Sequence, residues 1–247
     1  MLKLAIKIGL FGFVVLMGQL TLAAVLLPSQ MTQSDRQEAL RILGLGSSAK
    51  ILSDPYPLGG YSGFEFGLEL DNLPTDSLSR LGSHLESSQE DITYPKLTVG
   101  KGLYDNLDLF VQLAPYNSND QISQYGAIGR WGFYQAAFLP LSASLVLNLN
   151  SANFANQMTT WTYGADLIGG IDVNQVSLYA GIGLLKASGY FIGGTAGITD
   201  SGNIEKESVS GLHTMVGATV HVTDYFVSVE LDRYTIAVLS GKVGMRF

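Results

Sequence analysis

Histidine and the acidic side chains are the groups here best suited to chemistry, and their spacing limits what that chemistry is. The 247-residue chain holds three histidines and no cysteine. A disulfide framework, a thiolate metal site and a lipid-modified N-terminal cysteine are therefore excluded. His213 and His221 are eight residues apart. On an extended strand, at about 3.4 Å per residue, that is roughly 27 Å, too far to share a metal ion. A proteolytic site would need His beside Asp. Asp71 and Asp232 fall at strand ends with no histidine beside them on this reading, and only His84, in a polar stretch, has the reach. A lipid-modifying site would need a polar catalytic group on an apolar face. Thr214 is among the few polar residues there, and no histidine joins it. The Gly-rich stretch 189–202 follows a strand but opens no helix, so it makes a poor phosphate cradle. We therefore expect no catalytic residue, metal or cofactor, and read His213 and His221 as satisfied interior histidines.

The elements that position these residues come in three segments. Residues 1–23 read as a signal peptide: Lys3 and Lys7 lead the apolar run Ile8 to Gly18, and Thr21-Leu22-Ala23 offers small residues for cleavage. Its removal takes the net charge from −7 to −9. Downstream of Pro28 no stretch approaches the ~18–20 apolar residues of a spanning helix, so any membrane crossing is by strands. In residues 24–59, Ser34 with Gln37 suggests a capped short helix, whose apolar face is Ala39, Leu40, Ile42 and Leu43. Gly44 or Gly46 can end it, and Pro55 and Pro57 exclude helix beyond. This segment is expected either to hang in the periplasm or to plug an interior.

From residue 60 the hydropathy period is two. Leu107, Leu109, Val111 and Leu113 alternate with Asp108, Phe110, Gln112 and Ala114, and similar runs repeat to the end. The pattern predicts about ten strands, with eight or twelve as neighbouring even counts, near 61–71, 92–103, 107–116, 122–133, 140–150, 159–171, 175–186, 207–222, 225–235 and 237–247. Tight turns at Tyr104-Asp105-Asn106, Asp172-Val173-Asn174 and Thr223-Asp224 contrast with long loops at 72–91 and 187–206. Only 14% of residues are charged, against roughly 25% in soluble domains, and Gly is 29 of 247. The polar faces carry Gly, Ser, Thr and Asn, with few Lys or Glu. Such a face suits a crowded interior, so the apolar face is expected to turn outward toward lipid, in a sheet that must close. Tyr94, Tyr116, Tyr125, Trp161 and Tyr163 would form one aromatic girdle. Tyr61, Tyr104, Trp131, Phe133, Phe138 and Tyr225 would form the other.

The chain ends Leu239-Ser240-Gly241-Lys242-Val243-Gly244-Met245-Arg246-Phe247, a terminal aromatic with Val243 and Met245 at alternate positions before it. With the hairpin Gly102 to Leu109, this ending resembles the Gram-negative outer-membrane β-barrel proteins. The resemblance covers about residues 60–247 and implies an all-β, closed, antiparallel, up-and-down transmembrane barrel in the outer membrane. It implies contact with outer-membrane lipid and lipopolysaccharide. It further implies that Val243, Met245 and Phe247 are read by the barrel-assembly machinery. It carries over no functional site.

In that barrel Glu65, Glu69, Asp108, Asp166, Glu230 and Asp232 point inward, with Lys96, Arg130, Lys242 and Arg246, as a luminal charge network. Closure places the last strand beside the first, with Glu65 facing Arg246 and Glu69 facing Lys242. The rim acids are expected to face solvent or to screen divalent cations. Ten strands lie near the filled end of the size range, so a structural or interaction role is expected, not an enzymatic one. A narrow passive channel is the alternative, since many inward residues are Gly or Ser. Small outward residues, Ala127, Gly129, Ala165, Gly169 and Ala180, point to homo-oligomerisation, against a reading in which they merely fit local curvature. Acidity argues against nucleic acid as a partner.

Overall fold

The computed structural model describes residues 25–83, 91–114, 121–194 and 197–247. The expected signal peptide, His84 and Tyr116 lie outside these. Ten strands alternate in direction and close into one barrel in chain order. They are β1 (Phe64–Leu73), β2 (Ile92–Tyr104), β3 (Leu107–Ala114), β4 (Ile122–Gln135) and β5 (Leu141–Phe154), then β6 (Met158–Val173), β7 (Val176–Phe191), β8 (Glu205–Val222), β9 (Tyr225–Arg233) and β10 (Ala237–Arg246). Every strand pairs with its sequence neighbours, and β10 returns to β1. Closure satisfies the edge groups that an open sheet would leave bare in lipid. The last residue completes the seam: Phe247 and Phe64 exchange backbone hydrogen bonds of 2.8 and 3.0 Å.

Boundaries differ most from the pattern reading at β1, at β5, which runs on to Phe154, and at the β7–β8 hairpin. β1 begins at Phe64, because Gly60–Ser62 form a 3-10 turn. Gly59 and Gly60 enter it at φ of 91° and 75°, a region that favours glycine. β7 and β8 run longer than expected, so the loop between them shrinks to residues 192–204 and Gly189 lies within β7. The turn face of the barrel carries two-residue turns, including Asp105-Asn106 and Thr223-Asp224, while the opposite loop face holds three-residue turns at 155–157 and 234–236 beside its longer loops, so the expected segregation of short and long connections is only partial.

The outward residues are apolar along nearly every strand, with Leu145, Leu147 and Leu149 on β5 and Val227, Val229 and Leu231 on β9 as examples. Outward aromatics band by height, with Tyr125, Trp161, Tyr163 and Tyr190 toward the loop face. Tyr104, Trp131, Phe133 and Tyr225 lie toward the turn face, and Tyr61 stacks edge-on against Tyr104 at 6.1 Å. Tyr94 is a correction to the expected girdle. It shares parity with Ile92 and Lys96 and points inward, only 2% exposed.

The N-terminal helix α1 (Gln33–Ala39) continues into a π-helical turn, Leu40–Leu45. Its cap is Thr32, not Ser34: the Thr32 side chain accepts from the Asp35 N–H, and Asp35 accepts from the Thr32 N–H at 3.0 Å. Gly46 closes the turn. The buried face of Leu40, Ile42, Leu43 and Leu45 meets Phe154, Phe191, Ala187, Leu73 and Val238. Those are strand residues of inward parity, so this helix lies inside the barrel. A second apolar cluster below it joins Ala49, Ile51 and Leu58 to Phe110, Ile128, Ile168 and Tyr179. The interior is thus a layered core and not a uniformly polar lumen.

Candidate functional site

The lumen is filled from end to end by residues 25–63. At the loop face, Met31 donates to the Ile198 carbonyl at 2.9 Å, and Ser83 donates to the Ser29 carbonyl at 2.9 Å. Arg36 then pairs with Asp200 at 2.7 Å and with Glu207 of β8 at 3.1 Å. The helical stretch lies in the upper lumen, since Gly44 near its end meets Thr162, which stands between the loop-face girdle residues Trp161 and Tyr163, and the extended stretch that follows runs through the barrel below. Strand side chains donate to the backbone of this segment. Thr162 reaches the Gly44 carbonyl at 2.8 Å, Gln124 and Asn150 reach the Ser47 carbonyl at 2.8 and 3.0 Å, and Lys242 reaches that of Ile51 at 2.8 Å. Arg130 bonds the Asp54 carbonyl at 2.7 Å, and the Leu58 N–H donates to Asp108 at 3.1 Å. At the turn face Gly102 donates to the Gly63 carbonyl at 3.0 Å, and the chain passes into β1.

Inward glycines make this fit. A Cβ at Gly126 would meet Ala49 at 2.9 Å, and one at Gly132 would meet Pro57 at 2.7 Å. At Gly170 it would meet Pro55 at 2.7 Å, at Gly189 Leu40 at 2.9 Å, and at Gly211 Leu45 at 3.0 Å. The Gly content of the inward face, read from sequence as room for a passage, is room for this segment.

Every charge expected in the lumen is there, and the side chains choose their partners. Glu65 sits opposite Arg246 in the register and Glu69 opposite Lys242. Arg246 bonds Glu65 at 2.9 Å, but Lys242 also turns to Glu65, at 2.6 Å. Glu69 pairs instead with Lys96 of β2, which reaches Asp71 at 2.7 Å. Asp108 takes Arg130 at 2.8 Å. Asp166 and Asp232 flank His213, at 2.7 Å from Nδ1 and 2.9 Å from Nε2. That arrangement suits a ring carrying hydrogen on both nitrogens. Tyr234 stacks on the ring at 4.4 Å. Glu230 accepts from the Tyr179 hydroxyl at 2.8 Å.

Two sequence expectations fail here. Asp71 and Asp232 do not face solvent or screen cations at the rim, since both are fully buried in ion pairs. Asp232 does have a histidine partner, because cross-strand parity brings His213 of β8 beside β9. That group is not open to substrate: His213 is 3% exposed. Among the described residues no set of three His, Asp or Glu is arranged to hold a metal ion.

Sequence reasoning missed the partners supplied by the plug. Lys50 bonds Asp71 at 3.1 Å, and Asp54 meets Arg246 at 3.4 Å and His221 at 3.2 Å. The plug brings one buried charge of each sign here, Lys50 and Asp54, so the balance of the expected inward charges gave no signal of them.

On the outside, Ala143, Gly169 and Ala180 lie side by side across β5, β6 and β7, and with Phe133, Leu167 and Ile182 they line a shallow lipid-facing groove. Ala127, Gly129 and Ala165 also face outward. Val243, Met245 and Phe247 lie on the outer face at the turn end of the seam.

An apolar outer band, two aromatic girdles and an even number of antiparallel strands in one closed sheet belong together in one setting. The chain is built as a membrane-spanning β-barrel. No protein-family model matches it, and neither does any curated protein sequence. Among solved structures it is similar to the attachment invasion locus protein Ail of Yersinia pestis, at 13% identity and a TM-score of 0.32, over 75% of this chain and 97% of that one. It is similar to the N-terminal β-barrel domain of Pseudomonas aeruginosa OprF, at 12% identity and a TM-score of 0.34, over 76% and 99%. It is similar also to the KdgM porin, at 10% identity and a TM-score of 0.34, over 75% and 98%.

Proposed function

We propose that this barrel is a sealed structural or interaction protein of the outer membrane, neither a channel nor an enzyme. The observation that carries the reading is the unbroken run of plug contacts from Met31 at the loop face to Gly63 at the turn face. Charged and amide donors of the barrel wall, Arg130, Lys242, Gln124 and Asn150, are satisfied by plug carbonyls. Leaving such groups buried and unmatched costs about 1–3 kcal/mol each, and more for the charged ones, so the plug is an integral part of the fold. The burial of His213 between two carboxylates supports a non-enzymatic role.

The outward face supports a lipid partner. Among the described strand residues its charges are Lys101, Lys186, Lys206 and Arg233, all basic in a chain of net charge −7. Lys186, Lys206 and Arg233 lie toward the loop face on consecutive strands, suited to phosphorylated headgroups of the outer leaflet. Phe247 at the seam fits recognition by the assembly machinery.

The test is planar-bilayer recording of the refolded full chain. Electrical silence is expected across the voltage range that opens porins. Steady openings of defined conductance would overturn the reading in favour of a narrow passive channel.

A further inference from the structure

The direction of the luminal segment has a topological consequence. β1 starts at the turn face, where Gly63 bonds Gly102 and where a Cβ on Gly60 would sit 3.3 Å from Asp105 of the tight turn. The residues before it climb to the opposite face. Ser47 meets Asn150, Gly44 meets Thr162, Arg36 meets Glu207, and Met31 meets Ile198 and Asp200 of the β7–β8 loop. Met31 also forms a parallel bridge with Thr199. Val25, Leu27 and Met31 are buried at this mouth with Leu78 and Ile198, whereas Leu26, Ser29 and Gln30 are exposed.

We propose that the barrel presents its N-terminal end on the outer surface of the cell. On this reading residues 33–63 are a tether running from the periplasmic face to the outside. Residues 25–32 form one composite external surface with residues 81–83 and the described part of the β7–β8 loop. A barrel whose N-terminal segment hung in the periplasm would have no use for a capped helix packed against the upper lumen, nor for Arg36 locked to Asp200 and Glu207. The inference rests on the reading of the loop face as the outer face.

The absence of cysteine allows a direct test on intact cells with a membrane-impermeant maleimide. Single variants Leu26→Cys and Ser29→Cys probe the N-terminal end, Ser201→Cys probes the loop face, and Asn106→Cys probes the turn face; all four residues are exposed. The expected result is equal labelling of L26C, S29C and S201C before and after permeabilising the outer membrane, with N106C labelled only after. Labelling of S201C on intact cells with L26C and S29C protected until permeabilisation would overturn the proposal while leaving the barrel orientation standing. Labelling of N106C on intact cells with S201C protected would overturn the orientation and the proposal with it. If all four are protected until permeabilisation, the outer-membrane reading itself falls. A short epitope inserted ahead of Val25, detected by antibody on whole cells, is the second readout and avoids any change within the packed segment. Failure of antibody to bind before permeabilisation, with binding after, counts against the proposal in the same way.

Discussion

At the scale of single residues the interior is governed by the cost of burying charge. Arg130 shows how tightly the groups depend on each other. It bonds Asp108 through Nε at 2.9 Å and Nη2 at 2.8 Å, and through Nη1 it holds Ser53 and the Asp54 carbonyl at 3.0 and 2.7 Å. Such a pair adds little net stability when whole, but removing one partner strands the other. Arg130→Met is therefore expected to destabilise the barrel by about 3–5 kcal/mol, measured as a lowered urea midpoint in lipid vesicles. Adding Asp108→Leu should recover part of that loss, because the buried carboxylate is then gone too. If the single variant unfolds at the parent midpoint, Asp108 has another route to compensation.

At the scale of elements the question is how a helix and an extended strap share one cylinder with ten strands. The strands yield space where the plug needs it. Gly170 on β6 faces Pro55, and its neighbour Gly169 faces lipid, where a Cβ would meet nothing nearer than 3.9 Å. Gly170→Val is expected to push Pro55 from its seat at a cost of about 1–3 kcal/mol, visible as intermittent conductance in bilayer recordings. Gly169→Ala, one residue away on the same strand, should remain silent. Equal behaviour of the two variants would mean that Pro55 does not contribute to the seal. The short α1 helix depends on the same enclosure. Isolated helices of this length are marginal in water, and its stability comes from burying Leu40, Ile42, Leu43 and Leu45 against strand side chains.

At the scale of the whole molecule everything follows from which face meets lipid. Leu147 sits midway along β5 and points outward, 56% exposed, while its neighbour Asn148 points inward and donates to Asp166 at 2.8 Å. Leu147→Arg is expected to cost about 2–4 kcal/mol in a bilayer, read from equilibrium unfolding in vesicles. A barrel with its outer face in water would accept arginine there at almost no cost, so the measurement separates the two arrangements.

Period-two alternation is a property of neighbouring residues, so the linear chain settles the strands, the parity of Glu65, Asp108 or His213, and the offset of β10 against β1 that sets Glu65 opposite Arg246. Even so, Tyr94 went astray, since an aromatic near a strand end fits a girdle and a lumen equally well until its parity with Lys96 is considered. The path of residues 25–63 was not readable in this way. Arg36 and Glu207 are 171 positions apart and Lys50 and Asp71 are 21 apart, and nothing local to either ties it to the other. Those meetings are chosen by the closed cylinder, which confines a fixed number of carboxylates, cations and bare glycines to one narrow space where each must find what neutralises or fills it.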